Sequence, residues 1–228
     1  MEASELTFER DGTRHFPGVI TASEAEALAT RLSGDLDGRP GRRLLIEPDI
    51  EPLLATTGPV GSIAASLIGA VARPVRAVLF DKTRTANWIV AWHQDRTIAV
   101  RERHDTPGFG PWSTKDGLCH VAPPISVLER MATLRLHLDD CDNDNAPLTV
   151  ALGSHRRGLV PAAEVAAAAA EHPQFTCHAR AGDVWAYSTP ILHTSARSLS
   201  DRRRRVLQID YAAEDLPSPL QWLGICRA

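Results

Sequence analysis

The chain has few of the features that mark specialised protein classes. Its four cysteines, Cys119, Cys141, Cys177 and Cys226, show no CxxC spacing, which excludes a disulfide framework and fits reduced thiols in a cytoplasmic protein. Long apolar runs are missing. The longest, 63–72 and 165–170, fall well short of the roughly 20 residues a membrane-spanning helix needs. Glu2, Glu5, Glu9, Arg10 and Asp11 interrupt the start, so no signal-peptide core is expected there. Charge of one sign is not in excess either. The formal net charge is −3, which gives no general attraction to nucleic acid or to an anionic membrane. Only Lys82 and Lys115 are lysines among 25 basic residues, a bias that reflects nucleotide composition more than a physical need. There is no repeat, low-complexity tract or linker.

What is present suits one globular unit. Residues 1–228 are expected to form a single domain, and 43% hydrophobic residues suffice for a core. The first part, about 1–74, reads as mixed and mostly helical. Thr21-Ala22-Ser23-Glu24 is a capping box opening a helix through Leu28 and Leu32 that Gly34 should end, and a second helix is expected over 60–72. Beyond Pro74 the character changes. Short β-prone runs at 75–80, 88–93, 97–100, 133–138, 148–152, 184–188 and 206–211 are separated by Gly, Pro, Asn and Asp. Such a succession predicts a mainly β sandwich or barrel over about 75–213, with a helix near 162–170. Residues 101–124 read as a long loop. It holds Arg101, Arg103, His104, Asp105, Phe109, Trp112 and Lys115, and is expected to act as a lid or binding segment.

The chemistry concentrates in His93-Gln94-Asp95, answered by His193 and, eleven positions later, by Arg204. Residues i and i+2 of a strand share a face, so His93 and Asp95 can offer an imidazole and a carboxylate to one metal ion. A second imidazole from a distant strand makes a two-histidine, one-carboxylate face with open positions. That arrangement suits non-haem Fe(II) and its oxygen chemistry. Catalytic zinc uses the same ligand types, so the ligand set alone leaves the metal open. Nine histidines make an accidental His-x-Asp easy, and His137-Leu138-Asp139 is a second one. In the strand over 206–211, Arg204, Val206, Gln208 and Asp210 share one face, while Arg205, Leu207, Ile209 and Tyr211 share the other. A polar face lining a barrel interior calls for a polar ligand. The run Arg202-Arg203-Arg204-Arg205 beside Asp201 reads as a solvated turn with one inward arginine rather than a polyanion site.

Trp92-His93-Gln94-Asp95, Leu134-Arg135-Leu136-His137-Leu138-Asp139-Asp140, Gly153-Ser154-His155-Arg156-Arg157-Gly158 and His193 with Arg204 together resemble the phytanoyl-CoA dioxygenase (PhyH-like) family. These are Fe(II)- and 2-oxoglutarate-dependent oxygenases on a double-stranded β-helix, a cupin-like jelly roll. The likeness runs from about Phe80 to Tyr211. It implies that His93, Asp95 and His193 are the catalytic iron ligands, which decides against His137 and Asp139. It further implies that Arg204 pairs with the distal carboxylate of 2-oxoglutarate and that Ser195 assists it. Gln94, Thr133 and Arg135 fall at cosubstrate-contacting positions. Molecular oxygen and a small polar or anionic substrate are the implied partners, with hydroxylation and release of succinate and CO2. Related halogenases lack the carboxylate found here as Asp95. A non-catalytic cupin-like metal- or ligand-binding protein is the alternative. Asn145-Ala146 and Leu152-Gly153 stand where the family commonly has Asn-Gly and Pro-Gly, which bears on turn shape and touches no ligand.

Overall fold

In the computed structural model of the protein, residues 2–33, 40–45 and 50–225 are described. Thirteen strands occur among them. The first five are β1 (Thr13–Phe16), β2 (Gly41–Leu44), β3 (Arg73–Lys82), β4 (Val90–His93) and β5 (Ile98–Val100). The next four are β6 (Trp112–Lys115), β7 (Leu118–Val121), β8 (Met131–His137) and β9 (Leu148–Ala151). The last four are β10 (Gln174–Cys177), β11 (Val184–Ser188), β12 (His193–Ser195) and β13 (Arg204–Ala212). Pairing is antiparallel throughout. A six-stranded sheet runs β1-β11-β8-β13-β3-β2, a four-stranded sheet runs β10-β9-β12-β4, and β5-β7-β6 form a small third sheet. The fold is mainly β, as the run of short strands predicts, and is the jelly roll that the family resemblance implies.

The strand alternation explains why the large sheet is buried on both faces. Leu207, Ile209 and Tyr211 of β13 join Leu79, Leu134 and Leu136 in the main apolar cluster. The helix Ala22–Leu32 packs Ala25, Leu28, Ala29 and Leu32 onto that face, and the helix Gly61–Ile68 adds Ile63 and Ala64. Each leucine or isoleucine among these contributes roughly 1.5–3 kcal/mol when removed from water. The Thr21–Glu24 capping box forms as expected: Thr21 Oγ1 accepts from the Glu24 amide, and the Glu24 carboxylate accepts from the Thr21 amide. On the opposite face of β13, Arg204, Gln208 and Asp210 turn inward and are buried.

Several expectations need correction. The first third contributes two strands as well as helices. β1 pairs with β11 and β2 with β3, closing both edges of the large sheet. The second helix is shorter than 60–72, and the Ala-rich helix spans Val165–Ala170. Gly34 and Cys226 lie outside the described residues. Residues 101–124 are not an unstructured loop, because β6 and β7 form a hairpin within it that pairs with β5. The turn is Asp116-Gly117, with φ of 50° and 75°. An Asp-Gly pair with both residues at positive φ matches the twist of flanking strands. That signal was present in the sequence. Among the described residues, no helix is long and apolar enough to cross a membrane.

Candidate active site

β4 and β12 lie side by side in the four-stranded sheet, and their register sets His193 directly opposite His93. The two imidazole centroids are 4.1 Å apart. Asp95, two residues past His93, brings its carboxylate to the same point, and ligand atoms of all three residues lie within 4.8 Å of one another. Among the described residues this is the one such grouping of three. The second His-x-Asp pair does not contribute. His137 is buried with neither ring nitrogen hydrogen-bonded, and Asp139 is held by Arg205 at 2.6 Å.

The hydrogen bonds of the two histidines are matched. His93 Nδ1 meets the Ala91 carbonyl and His193 Nδ1 meets the Ile191 carbonyl, each at 2.9 Å. A carbonyl accepts only, so each Nδ1 carries the proton and each Nε2 keeps its lone pair for a metal. Burial, aided by the neighbouring His93, pushes His193 down to about 4, so it is neutral at pH 7. Burial alone would raise the Asp95 carboxyl. His193, Arg76, His93 and Arg135 outweigh it and hold the group below the usual carboxylate range. Gln208 Nε2 approaches Asp95 Oδ2 at 3.5 Å, while its Oε1 accepts from Arg135 Nη1 at 2.8 Å and from Tyr187 Oη at 3.3 Å. Two imidazoles oriented by main-chain carbonyls and one carboxylate on the wall of an open cavity fit a divalent first-row metal with positions left for other ligands.

That cavity has about 160 Å³ and reaches from His93, Asp95 and His193 to Arg135 and Arg204. Arg204 is buried, donates through Nη1 to the Ala146 carbonyl, and keeps a buried Nε without a partner. Arg135 also keeps an unpartnered Nε, and its guanidinium lies 5.5 Å from the Phe80 ring centroid. Burial and the Arg135 charge lower Arg204 to about 10, still a cation at neutral pH. Neither arginine has a carboxylate partner among the described residues. Burying such charges is costly unless a ligand pairs with them. Ser195 Oγ donates to the same Ala146 carbonyl at 3.1 Å and accepts from Lys82 Nζ at 3.2 Å. Ala146 holds φ of 53°, a left-handed conformation that glycine adopts freely. Alanine thus preserves the turn expected at Asn145-Ala146, at a cost of about 1–2 kcal/mol.

Two expected contacts do not face this cavity. Gln94 spends its amide on the main chain, donating to Gly158 and Pro190 and accepting from the Val160 amide. It ties loops together and lines the larger cavity beside this one. Thr133 lines neither this cavity nor the larger one beside it; its hydroxyl meets Thr189 and Asp210 at 3.1 and 3.2 Å. Lys82 was missed. It is fully buried, aligned with Arg204 in the β3–β13 register, and lowered to about 7 by burial and by Arg204 and Arg135. Only the register brings it there, so local sequence gave no sign. The flanking arginines are consumed outside the site: Arg202 by Asp142, Arg203 by Asp81 and Arg205 by Asp139 and Glu26.

Two buried neutral histidines make the metal-free protein acid-sensitive. His193 and His137 both have folded pKa values below the unfolded value of about 6.5, His137 because of burial. Their contribution is present above pH 6.5 and is lost as pH falls, because the unfolded chain takes up the protons first. Urea unfolding of metal-free protein should lose up to about 2 kcal/mol per histidine between pH 7 and pH 5. A flat profile over that window would contradict the neutral, buried assignment.

The profile of the family described as phytanoyl-CoA dioxygenase (PhyH) matches residues 8–206. No curated protein matches the chain by sequence. Among solved structures, the non-heme alpha-ketoglutarate-dependent carbocyclase SnoK from nogalamycin biosynthesis is 17% identical, with a TM-score of 0.68, over 99% of this chain and 90% of that one. AviO1 from Streptomyces viridochromogenes is 23% identical, with a TM-score of 0.62, over 92% and 93%. HygX from Streptomyces hygroscopicus, solved with nickel, 2-oxoglutarate and hygromycin B, is 16% identical, with a TM-score of 0.62, over 96% and 93%. These likenesses establish a shared fold. The matched profile spans most of the sequence and carries His93, Asp95, His193 and Arg204 within it, and the chain belongs to the phytanoyl-CoA dioxygenase family.

Proposed function

We propose that the protein is an Fe(II)- and 2-oxoglutarate-dependent dioxygenase that hydroxylates a small polar or anionic metabolite or natural-product intermediate, releasing succinate and CO2. The observation that carries this reading is one cavity with a metal-binding trio on one wall and, on the other, a buried arginine that has no carboxylate partner among the described residues. When bound, Fe(II) and 2-oxoglutarate supply an oxidative decarboxylation coupled to attack on an unactivated C–H bond of the substrate.

The chain's own residues do the rest. His93, Asp95 and His193 hold the metal, and the carbonyls of Ala91 and Ile191 keep both imidazoles in the ligating tautomer. Arg204 takes the distal carboxylate of the cosubstrate, with Arg135 supplying positive charge along the same cavity. Ser195 and the Ala146 carbonyl fix the direction in which Arg204 points. Gln208 restrains Asp95. Phe80, Trp88, Val90 and Leu148 line the cavity with apolar surface that excludes water from the reacting groups. Asp95 fills the position a halide would need, which favours hydroxylation. SnoK comes from nogalamycin biosynthesis and HygX was solved with hygromycin B bound, in keeping with a natural-product substrate.

Succinate release under oxygen, screened against a library of metabolites and natural-product intermediates, tests the proposal. Turnover that requires both Fe(II) and 2-oxoglutarate is expected. Folded, metal-loaded protein that releases no succinate with or without added substrate would leave the binding-protein alternative standing.

A further inference from the structure

A second cavity of about 580 Å³ opens beside the first, sharing His93, Asp95, Gln208, Phe80 and Trp88 with it. Its far wall is formed by β2, the start of β3 and the β6–β7 hairpin. Five cationic side chains line it, Arg42, Arg43, Arg76, Arg96 and Lys115, against two carboxylates, Asp95 and Asp116. Four of the cations are committed, Arg42 by donating to the Leu32 carbonyl at 3.0 Å. Arg76 is paired with Asp210 at 2.5 Å, Arg43 with Asp116 at 2.6 Å, and Arg96 donates to the Val160 carbonyl.

Lys115 is different. Among the described residues its one hydrogen bond is to the Thr97 hydroxyl at 3.0 Å, and no carboxylate lies within ion-pair reach. An ammonium has three donors, so two are left for a ligand. Burial and the charges of Arg76 and Arg43 weaken its hold on a proton. Such a cluster is self-repelling. Arg43 Nε and Arg42 Nε are also buried without partners, further donors in the same wall. The other basic residues of the segment are not involved: Arg103 is bound to Asp105 at 3.1 Å, and Arg101 lines a separate groove with Arg73 and Asp215.

We infer that the outer cavity recognises its substrate through an anionic group, a carboxylate or a phosphate monoester, that pairs with Lys115 beside Arg43 and Arg76. The inference rests on the reading of this cavity as the substrate site. The C–H bond to be oxidised then lies at the His93–Asp95 end, with Trp88, Phe80 and Val78 against the body of the molecule. A ligand bearing positive charge is disfavoured at the same wall.

The composition of the chain supplies a direct test, because Lys115 and Lys82 are its only lysines. Wild-type protein is treated with the neutral reagent N-hydroxysuccinimidyl acetate, and acetylation of Lys115 is followed by mass spectrometry, with added Nα-acetyl-lysine as the internal reference for reagent reactivity. Inorganic phosphate, acetate or both should slow acetylation of Lys115 by at least about threefold relative to chloride at equal ionic strength, since protection grows with anion concentration over Kd. Protection by phosphate alone assigns a phosphate monoester; protection by acetate alone assigns a carboxylate. Protection by neither overturns the inference, whatever the catalytic result. In the succinate screen, compounds that stimulate turnover should carry such a group. Lys115→Gln should raise their KM roughly 10- to 100-fold, and Lys115→Arg should restore most of the loss. Neutral or cationic hits, or an unchanged KM, contradict it. Absence of succinate release with Lys115 still protected would instead count against the catalytic proposal alone.

Discussion

Asp95→Ala is expected to lower Fe(II) affinity by more than about 100-fold and to abolish 2-oxoglutarate-dependent turnover. Losing a residue that merely supports a ligand typically costs about 10–100-fold in metal affinity, so losing a ligand outright should cost more. Asp95 is also the one anionic member of the trio, and its carboxyl lies below the usual carboxylate range. Alanine leaves two neutral imidazoles to face a dication. The apolar cluster beneath the helices does not include this residue, so circular dichroism should show the fold retained. Metal titration monitored by calorimetry reads the loss, and an affinity within a few-fold of the parent would remove Asp95 from the ligand set.

Arg204→Leu is expected to raise the 2-oxoglutarate concentration for half-saturation by about 10- to 150-fold while Fe(II) still binds. A hydrogen bond to a charged group contributes about 1.5–3 kcal/mol, and each 1.4 kcal/mol is a factor of ten. Arg204 lies in the same cavity as the metal trio but is not one of its members, which separates the two effects. The substitution has a second consequence. Without ligand, Arg204 is a buried cation that bonds the Ala146 carbonyl and the Cys141 thiol, keeps a buried Nε without a partner, and has no carboxylate partner among the described residues. Replacing a buried unpaired charge with an apolar side chain removes a desolvation cost. The ligand-free variant should therefore melt no lower than the parent. Loss of stability together with unchanged 2-oxoglutarate affinity would mean that the arginine serves the fold instead of the cosubstrate.

Much of this was legible in the residues because the relevant spacing is local. The i, i+2 relation of His93 and Asp95 and the alternation along β13 are properties of a strand, and both place side chains on a face without knowledge of the partner strand. His193 needed more, since only the β4–β12 register sets it against His93; there the family resemblance did what periodicity could not. Other contacts are ones that sequence order hides. Gln94 has the same neighbours as the ligands, yet its amide is spent on carbonyls of Gly158 and Pro190, remote in the chain. Lys82 reads as the polar end of a strand, and only pairing with Arg204 buries it. β1 and β2 are four-residue edge strands with little apolar patterning, so long-range pairing decided what local preference could not. The Asp116-Gly117 turn is a different kind of miss, because its chemistry was visible and the length of the segment obscured it.

The central claim is that His93, Asp95 and His193 hold one Fe(II) beside a cosubstrate anchored on Arg204. Anaerobic titration of metal-free protein with Fe(II) and then 2-oxoglutarate measures it most directly. The account predicts a weak visible charge-transfer absorption that appears only with both components, disappears in Asp95→Ala, and requires far more 2-oxoglutarate in Arg204→Leu. Folded protein that binds Fe(II) yet develops no such absorption at any 2-oxoglutarate concentration would contradict it.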